Sequence, residues 1–177
     1  QTDLLKRLVF IDALTHVFNR RYFDERLSDE WGRAQRTGKP LSLILIDVDF
    51  FKQYNDVHGH QRGDEALRQV AHALTATALR PGDVVCRYGG EEFACLLPDT
   101  DLDGARQVAQ RMKLAVRELA IAHPASTVAE VLTISAGLAV RTPSSREDAA
   151  ALLALADAQL YRAKAEGRAR ACHAVLG

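Results

Sequence analysis

The segment at residues 41–49 reads LSLILIDVD. Residues 41–46 form a continuous, mostly branched aliphatic run, which is typical of a buried central strand. The run ends abruptly in Asp47-Val48-Asp49. The segment therefore predicts a strand inside a sheet, with acidic groups at the point where that strand ends.

Periodicity and turn residues divide most of the remaining chain into helices and strands. Helices are predicted at residues 19–36, 50–57, 64–79, 101–121 and 144–167, and strands at 84–88, 93–97, 132–140 and 169–175. Only Gly89-Gly90-Glu91-Glu92 separates the strands at 84–88 and 93–97, so these two are expected to form a hairpin. The order of elements predicts an α/β (α+β) fold with a central mixed sheet flanked by helices.

Residues 1–11 are predicted to be a connecting helix. The apolar residues at helical spacing are Leu4, Leu5, Leu8 and Val9. This stripe either packs locally against the domain or forms the last turns of a coiled coil. The chain begins with Gln rather than Met, so we expect a missing upstream domain. Residues 12–177 then form one domain, a length that suits a single sizeable core.

Composition narrows the possible classes of protein. The chain has 23 basic and 23 acidic residues, so no overall basic field favours DNA or RNA binding. Its three cysteines are odd in number and widely spaced, unlike a disulfide framework or zinc knuckle, and fit a reducing cytoplasm. No apolar stretch approaches the roughly 20 residues that span a bilayer.

Acidic residues recur at two predicted strand ends. Asp47 ends the buried strand, and Glu91 and Glu92 lie at the hairpin tip after Gly89-Gly90, where glycine permits positive φ and close approach. Carboxylates gathered in this way repel one another unless a cation lies between them, and such hard oxygen ligands suit Mg²⁺ or Mn²⁺. From spacing alone, a turn with solvated acids is an equal alternative.

Four ordered blocks of residues resemble the GGDEF family of diguanylate cyclases. They are Asp12 to Thr15 with Asn19-Arg20-Arg21; Asp47 to Lys52 with Asn55-Asp56, Gly59-His60 and Gly63-Asp64; Arg87 to Phe93, the signature in its GGEEF form; and Asp157, Leu160-Tyr161, Lys164 and Gly167-Arg168. The resemblance runs from about Asp12 to Arg170. His16, Val17 and Gln53-Tyr54 depart from the family pattern, but none lies where metal or base is expected to bind.

The resemblance implies a palm-like sheet related to nucleotidyl cyclases and polymerases. Two domains meet as a homodimer, and the 3′-hydroxyl of each GTP attacks the α-phosphate of the other, giving cyclic di-GMP and pyrophosphate. By resemblance, Asp47, Glu91 and the Val48 carbonyl are the metal ligands. Glu92 is either the base for the 3′-hydroxyl or a ligand of a second metal. An upstream sensory or regulatory domain is the expected partner within the whole protein.

The same resemblance assigns the nucleotide contacts. Asn55 and Asp64 should read guanine, because a carboxylate accepts two hydrogen bonds from N1–H and the 2-amino group; the alternative is that Asp64 merely caps its helix. The remaining substrate candidates are Lys52, Phe51, Gly90, Lys164 and Arg168. Lys164 and Arg168 are four residues apart and so are expected to share a helix face that grips the triphosphate; a solvated face is the alternative.

Arg80-Pro81-Gly82-Asp83 is an R-x-x-D stretch shortly before the Gly-Gly turn. In this family that placement is the product-inhibition site, and Arg111 lies where a supplementary arginine is expected. Arginine matches guanine O6 and N7 with two hydrogen bonds. The alternative is a turn stapled by an Arg–Asp pair.

Two rival functions remain. A non-catalytic receptor for GTP or cyclic di-GMP is the first, and retention of Asp47, Glu91, Glu92 and Asp64 counts against it. A cyclase that accepts ATP is the second, and a substitution at Asp64 that would have favoured it is absent.

Overall fold

A computed structural model describes residues 4–5, 9–144 and 148–176. The helices of 18, 8, 18, 17 and 17 residues are α1 (Arg20–Thr37), α2 (Phe51–His58), α3 (His60–Thr77), α4 (Leu102–Glu118) and α5 (Ala149–Ala165). The strands are β1 (Leu41–Val48), β2 (Val84–Arg87), β3 (Glu92–Pro98), β4 (Ile134–Arg141) and β5 (Ala171–Val175).

The described strands form one mixed sheet in the order β2-β3-β1-β4-β5. β1 pairs antiparallel with both β3 and β4, whereas β5 runs parallel to β4. β2 and β3 form the expected hairpin. The predicted mixed sheet, with the segment at 41–48 as its central strand, is confirmed.

Two apolar layers explain why most residues of β1 are aliphatic. Leu41, Leu43 and Leu45 pack with α1 and α5 on one face of the sheet. Ile44 and Ile46 pack with α2, α3 and α4 on the other face. Because successive side chains of a strand point to opposite faces, a strand buried on both faces is apolar at most positions. The buried Ser42 is tolerated because its Oγ donates to the Thr100 carbonyl at 2.6 Å.

Gly137 sets how closely α5 approaches the sheet. A Cβ added to this β4 residue would lie 2.1 Å from the backbone nitrogen of Leu160 and 2.3 Å from the Ala156 carbonyl oxygen. Only glycine therefore allows this backbone-to-backbone packing. The contact places the C-terminal end of α5, with Lys164, beside the end of β1.

Several predicted boundaries were wrong by a few residues. α3 begins at His60 rather than 64, because Gly59, with φ 86°, makes the whole turn from α2. α4 ends at Glu118 rather than 121, and α5 begins at Ala149, where the Asp148 side chain accepts the Ala150 N–H. Residues 145–147 of the predicted last helix lie outside the described residues.

The N-terminal segment is described in part. Residues 4–5 and 9–10 are helical, and the remaining residues of the predicted connecting helix before residue 9 lie outside the described residues. The Asn19 side chain then caps α1 by accepting the Tyr22 N–H at 3.0 Å. In the part of the chain described here, no helix is long and apolar enough to cross a membrane.

Candidate active site

The strand register gathers three carboxylates at one end of the sheet. Asp47 is opposite Glu92 in the β1–β3 pair, and the Val48 N–H donates to the Glu91 carbonyl at 3.1 Å. Asp47 is 8% exposed, while Glu91 and Glu92 are half-buried. The predicted meeting of the strand-end aspartate with the hairpin acids is therefore what the backbone pairing produces.

Electrostatics at this cluster favour a cation. Burial raises the pKa of Asp47 to about 6, an ion pair with Lys164 opposes that rise, and the charges of Glu91 and Glu92 add to it. Such a set of hard oxygen ligands fits a divalent ion. Within the described ranges, no group of three or more His, Cys, Asp or Glu residues is arranged to hold a metal alone.

Asp49 has a different role from Asp47. It is 3% exposed, and its carboxylate accepts hydrogen bonds from Thr133 Oγ1 at 2.8 Å, Ser135 Oγ at 2.6 Å and the Ala169 N–H at 3.1 Å. It thus joins the end of β1 to β4 and to the turn after α5. Sequence reasoning gave it no role, since the D-x-D spacing does not distinguish a metal ligand from such a joint.

Asn55 lies against Gly63, the residue before Asp64, where α2 packs on α3. A Cβ on the buried Gly63 would lie 1.8 Å from Asn55 Oδ1, so the close approach of these helices requires glycine. Asn55 Oδ1 is buried and has no hydrogen-bond partner among the described residues. Asp64, next to Gly63, lies inside α3, so the helix-capping alternative was wrong. A buried acceptor without a donor beside a half-buried carboxylate suits a ligand that offers adjacent N–H groups.

The predicted phosphate-binding residues lie on different elements of the fold. The expectation that Lys164 and Arg168 share a helix face was wrong, because α5 ends at Ala165 and Arg168 lies in the following turn with φ 63°. The Arg168 guanidinium carbon lies 4.6 Å from the centroid of the Phe50 ring. Lys52 is exposed on α2, whereas the neighbouring Phe51 is buried in the core beneath it.

The Gly-Gly turn is held by a side chain rather than by unusual torsions. Glycine permits positive φ, but neither Gly89 nor Gly90 has one. Arg87 donates to the Gly90 carbonyl from Nε at 3.1 Å and Nη2 at 2.8 Å, and forms an ion pair with Asp12 at 3.2 Å. A Cβ on Gly90 would meet nothing within 4 Å, so this position leaves open space beside the carboxylates. Sequence reasoning gave Arg87 no such role.

The R-x-x-D residues form a turn that hydrogen bonds hold in place before α4. The Arg80 N–H donates to Asp83 Oδ2 at 3.3 Å, and Arg80 Nη1 donates to the Asp99 carbonyl at 3.0 Å and Thr100 Oγ1 at 2.9 Å. Burial raises the pKa of Asp83, and the positive charges of Arg80 and Arg111 oppose that rise. Asp83 Oδ1 is buried without a hydrogen-bond partner in the described part of the chain.

Comparison with known proteins agrees with this geometry. Residues 9–170 match the family described as "Diguanylate cyclase, GGDEF domain". The response regulator PleD of Caulobacter vibrioides is 42% identical over 173 residues, which is 96% of this chain and 36% of PleD. The chain thus spans about a third of the length of this curated relative.

Solved structures show the same fold. The coiled coil and GGDEF domain of DgcB from Caulobacter crescentus, in complex with c-di-GMP, superposes with a TM-score of 0.87 at 30% identity, covering 98% of this chain and 90% of that chain. The diguanylate cyclase SiaD from Pseudomonas aeruginosa, in complex with its activator SiaC, gives 0.86 at 40% identity, covering 98% and 65%.

Proposed function

The chain belongs to the GGDEF family of diguanylate cyclases, and from this premise we propose that it condenses two GTP molecules into cyclic di-GMP with release of pyrophosphate. One observation carries the proposal. The β1–β3 register brings Asp47, Glu91 and Glu92 to one point, and Lys164 is already paired with the buried member. A site of this kind suits phosphoryl transfer, which needs positioning and charge neutralisation more than covalent help.

We assign the metal to Asp47, Glu91 and the Val48 carbonyl. Diguanylate cyclases are metal-dependent as a family, and a bound Mg²⁺ or Mn²⁺ would neutralise the negative charge of the reacting phosphates. Glu92, opposite Asp47 in the register, is the base for the 3′-hydroxyl or a ligand of a second ion. Gly90 leaves the approach to these acids open.

Guanine is assigned to Asn55 and Asp64. The buried Asn55 Oδ1 lacks a donor among the described residues, and guanine offers N1–H and a 2-amino group side by side. Adenine has no such pair, so ATP would leave buried acceptors unpaired. GTP is therefore the proposed substrate, with the buried Phe51 supporting the base site from below.

Lys52, Lys164 and Arg168 are assigned to the triphosphate. Lys164 is paired with Asp47 and would move from the carboxylate to phosphate oxygens when the nucleotide binds. Arg168 approaches from the turn after α5, and Lys52 from α2. The three cations thus come from separate elements of the fold.

Catalysis would require two copies of the domain. Each copy holds one GTP, so a homodimer brings the 3′-hydroxyl of one to the α-phosphate of the other. We propose residues 12–177 as the catalytic domain and 1–11 as a connecting helix from an upstream sensory or regulatory domain. The greater length of PleD supports a longer whole protein. The use of GTP favours the cytoplasm.

Product inhibition is assigned to Arg80, Asp83 and Arg111. Arg80 and Arg111 both act electrostatically on Asp83, and one Asp83 oxygen is buried without a described partner. Cyclic di-GMP would supply guanine acceptors for the arginines and N–H donors for the carboxylate.

The test is incubation of the purified domain with GTP and Mg²⁺, followed by mass analysis of the products. We expect cyclic di-GMP and pyrophosphate from the wild-type domain and none from Glu91→Gln. A fusion to a dimeric coiled coil supplies pairing if the isolated domain is inactive. GTP binding without product in the fusion would contradict the proposal and favour a receptor.

A further inference from the structure

His123 is a buried histidine outside every motif considered above. It lies between α4 and β4, is 1% exposed, and its Nε2 is 2.8 Å from the Phe50 carbonyl oxygen. A carbonyl only accepts hydrogen bonds, so Nε2 must carry the proton. Nδ1 is buried and has no partner among the described residues, and the backbone N–H donates to the Glu130 carbonyl at 2.8 Å. Among the described residues, the imidazole ring therefore makes one hydrogen bond, from Nε2 to the Phe50 carbonyl.

Phe50 is the joint between the carboxylate end of β1 and helix α2. Its φ of 53° lies in the left-handed region, which is rare for a bulky aromatic residue and persists only where the surroundings hold it. Its carbonyl also accepts the Tyr54 N–H at 3.0 Å, a bond of the first turn of α2. The His123 bond thus acts where the backbone turns from Asp47 towards the helix that carries Lys52 and Asn55.

The Phe50 ring also contacts the guanidinium group of Arg168. The guanidinium carbon lies 4.6 Å from the ring centroid, within the range of a cation–π interaction. Arg168 itself lies in the turn after α5, with a φ of 63°, and the Phe50 ring is a described contact of its guanidinium. The Tyr54 ring packs edge-on against His123 at 5.3 Å, which keeps the imidazole in place.

We propose that His123 is a positioning residue for the triphosphate. Through the Phe50 carbonyl it holds the turn after β1, and through the Phe50 ring it fixes the direction of Arg168. The inference rests on the proposed function, because Arg168 is assigned there to the phosphates. The geometry itself is independent of that assignment.

The test compares His123→Leu, which has no donor, with His123→Gln, whose amide can reach the position of Nε2. We expect the leucine variant to bind a non-hydrolysable GTP analogue about 3- to 10-fold more weakly by calorimetry, the range of one hydrogen bond. The glutamine variant should stay near wild type. His72→Leu, at an exposed histidine of α3, is the matched control and should change nothing.

A double-mutant cycle tests the route through Arg168. In an Arg168→Ala background, His123→Leu should lose most of its effect on affinity, because the group that it positions is gone. Additive effects, or equal losses in the leucine and glutamine variants, would overturn the proposal. If His123→Leu does not fold, His123→Asn replaces it, because its shorter amide does not reach Phe50.

An independent readout is the ¹⁵N spectrum of histidine-labelled wild-type protein. A protonated Nε2 on His123 is expected, and a ring that carries its proton on Nδ1 alone would overturn the inference. Absence of GTP-analogue binding in the wild type would defeat the proposed function instead. Wild-type binding that His123→Leu leaves unchanged would defeat only the role of His123.

Discussion

Lys164, near the end of α5, forms an ion pair with Asp47, near the end of β1. The two residues are 117 positions apart, and the close packing of α5 on Gly137 brings them together. The buried carboxylate therefore has a cationic partner within the protein itself. The lysine lies where the phosphates of a metal-bound nucleotide are proposed to arrive.

Asp47→Asn should reduce cyclic di-GMP production by about 100-fold or more, since the neutral amide is a poor ligand for a divalent ion. The measurement is the initial rate at saturating GTP and Mg²⁺. Asp29→Asn, at an exposed position of α1, is the matched control. Near-normal turnover with folded Asp47→Asn protein would remove Asp47 from the metal site.

The raised pKa of Asp47 predicts a pH dependence of stability in the metal-free protein. The pKa rises from 3.8 to about 6 on folding, so between these values the folded state binds more protons than the unfolded state. The free energy of unfolding must then fall as pH rises through this window. We expect urea unfolding to show that, between pH 4 and 7, the free energy of unfolding of the wild type falls by roughly 1–3 kcal/mol relative to that of Asp47→Asn. A difference that is constant with pH would contradict the raised pKa.

Gly63→Ala should weaken GTP binding and destabilise the domain by about 1–3 kcal/mol, because the new Cβ collides with Asn55 Oδ1. Calorimetry with GTP and thermal unfolding measure the two effects. Gly32→Ala is the control, since its Cβ would be 3.6 Å from the nearest atom, an Arg36 side-chain nitrogen. That change, in the interior of α1, should add about 0.5–1 kcal/mol of stability and leave activity unchanged.

Arg87→Lys should lower turnover about tenfold while the protein stays folded. Lysine keeps the charge but lacks the planar fork that reaches both the Gly90 carbonyl and Asp12. The loop with Glu91 and Glu92 would then lose the anchor that holds its position. The control is Arg68→Lys, an exposed arginine paired with Glu65. Equal rates for the two variants would show that the loop needs no such anchor.

Arg80→Ala should relieve product inhibition without lowering the initial rate. The guanidinium is held by the Asp99 carbonyl and Thr100 Oγ1, far along β3 from the carboxylates, so its loss leaves the proposed reaction centre in place. Calorimetric titration with cyclic di-GMP should show at least about a tenfold loss of affinity. An unchanged affinity would refute the inhibitory role. Arg106→Ala, at an exposed residue of α4, is the control.

The local sequence was enough to predict the layers of the fold and to place acidic residues at two strand ends, while spacing alone left solvated acids as an equal alternative. A short, mostly aliphatic run, as at residues 41–46, is typical of a strand covered on both faces, and a short link makes a hairpin. Both follow from backbone periodicity and chain connectivity. The family resemblance added the roles of Asn55, Asp64, Lys164 and Arg168, which neither periodicity nor spacing contains.

The tertiary structure decided how those side chains are held. Spacing suggested that Lys164 and Arg168 share a helix face, yet α5 ends between them, and Arg168 rests on Phe50 instead. His123 reaches the Phe50 carbonyl across 73 positions, a contact that leaves no local pattern. By itself, the sequence determined the central strand, the helices that cover it and the residue types available to a phosphate and metal site. Only the folded chain decided which of them meet, because those contacts depend on packing between distant segments rather than on neighbouring residues.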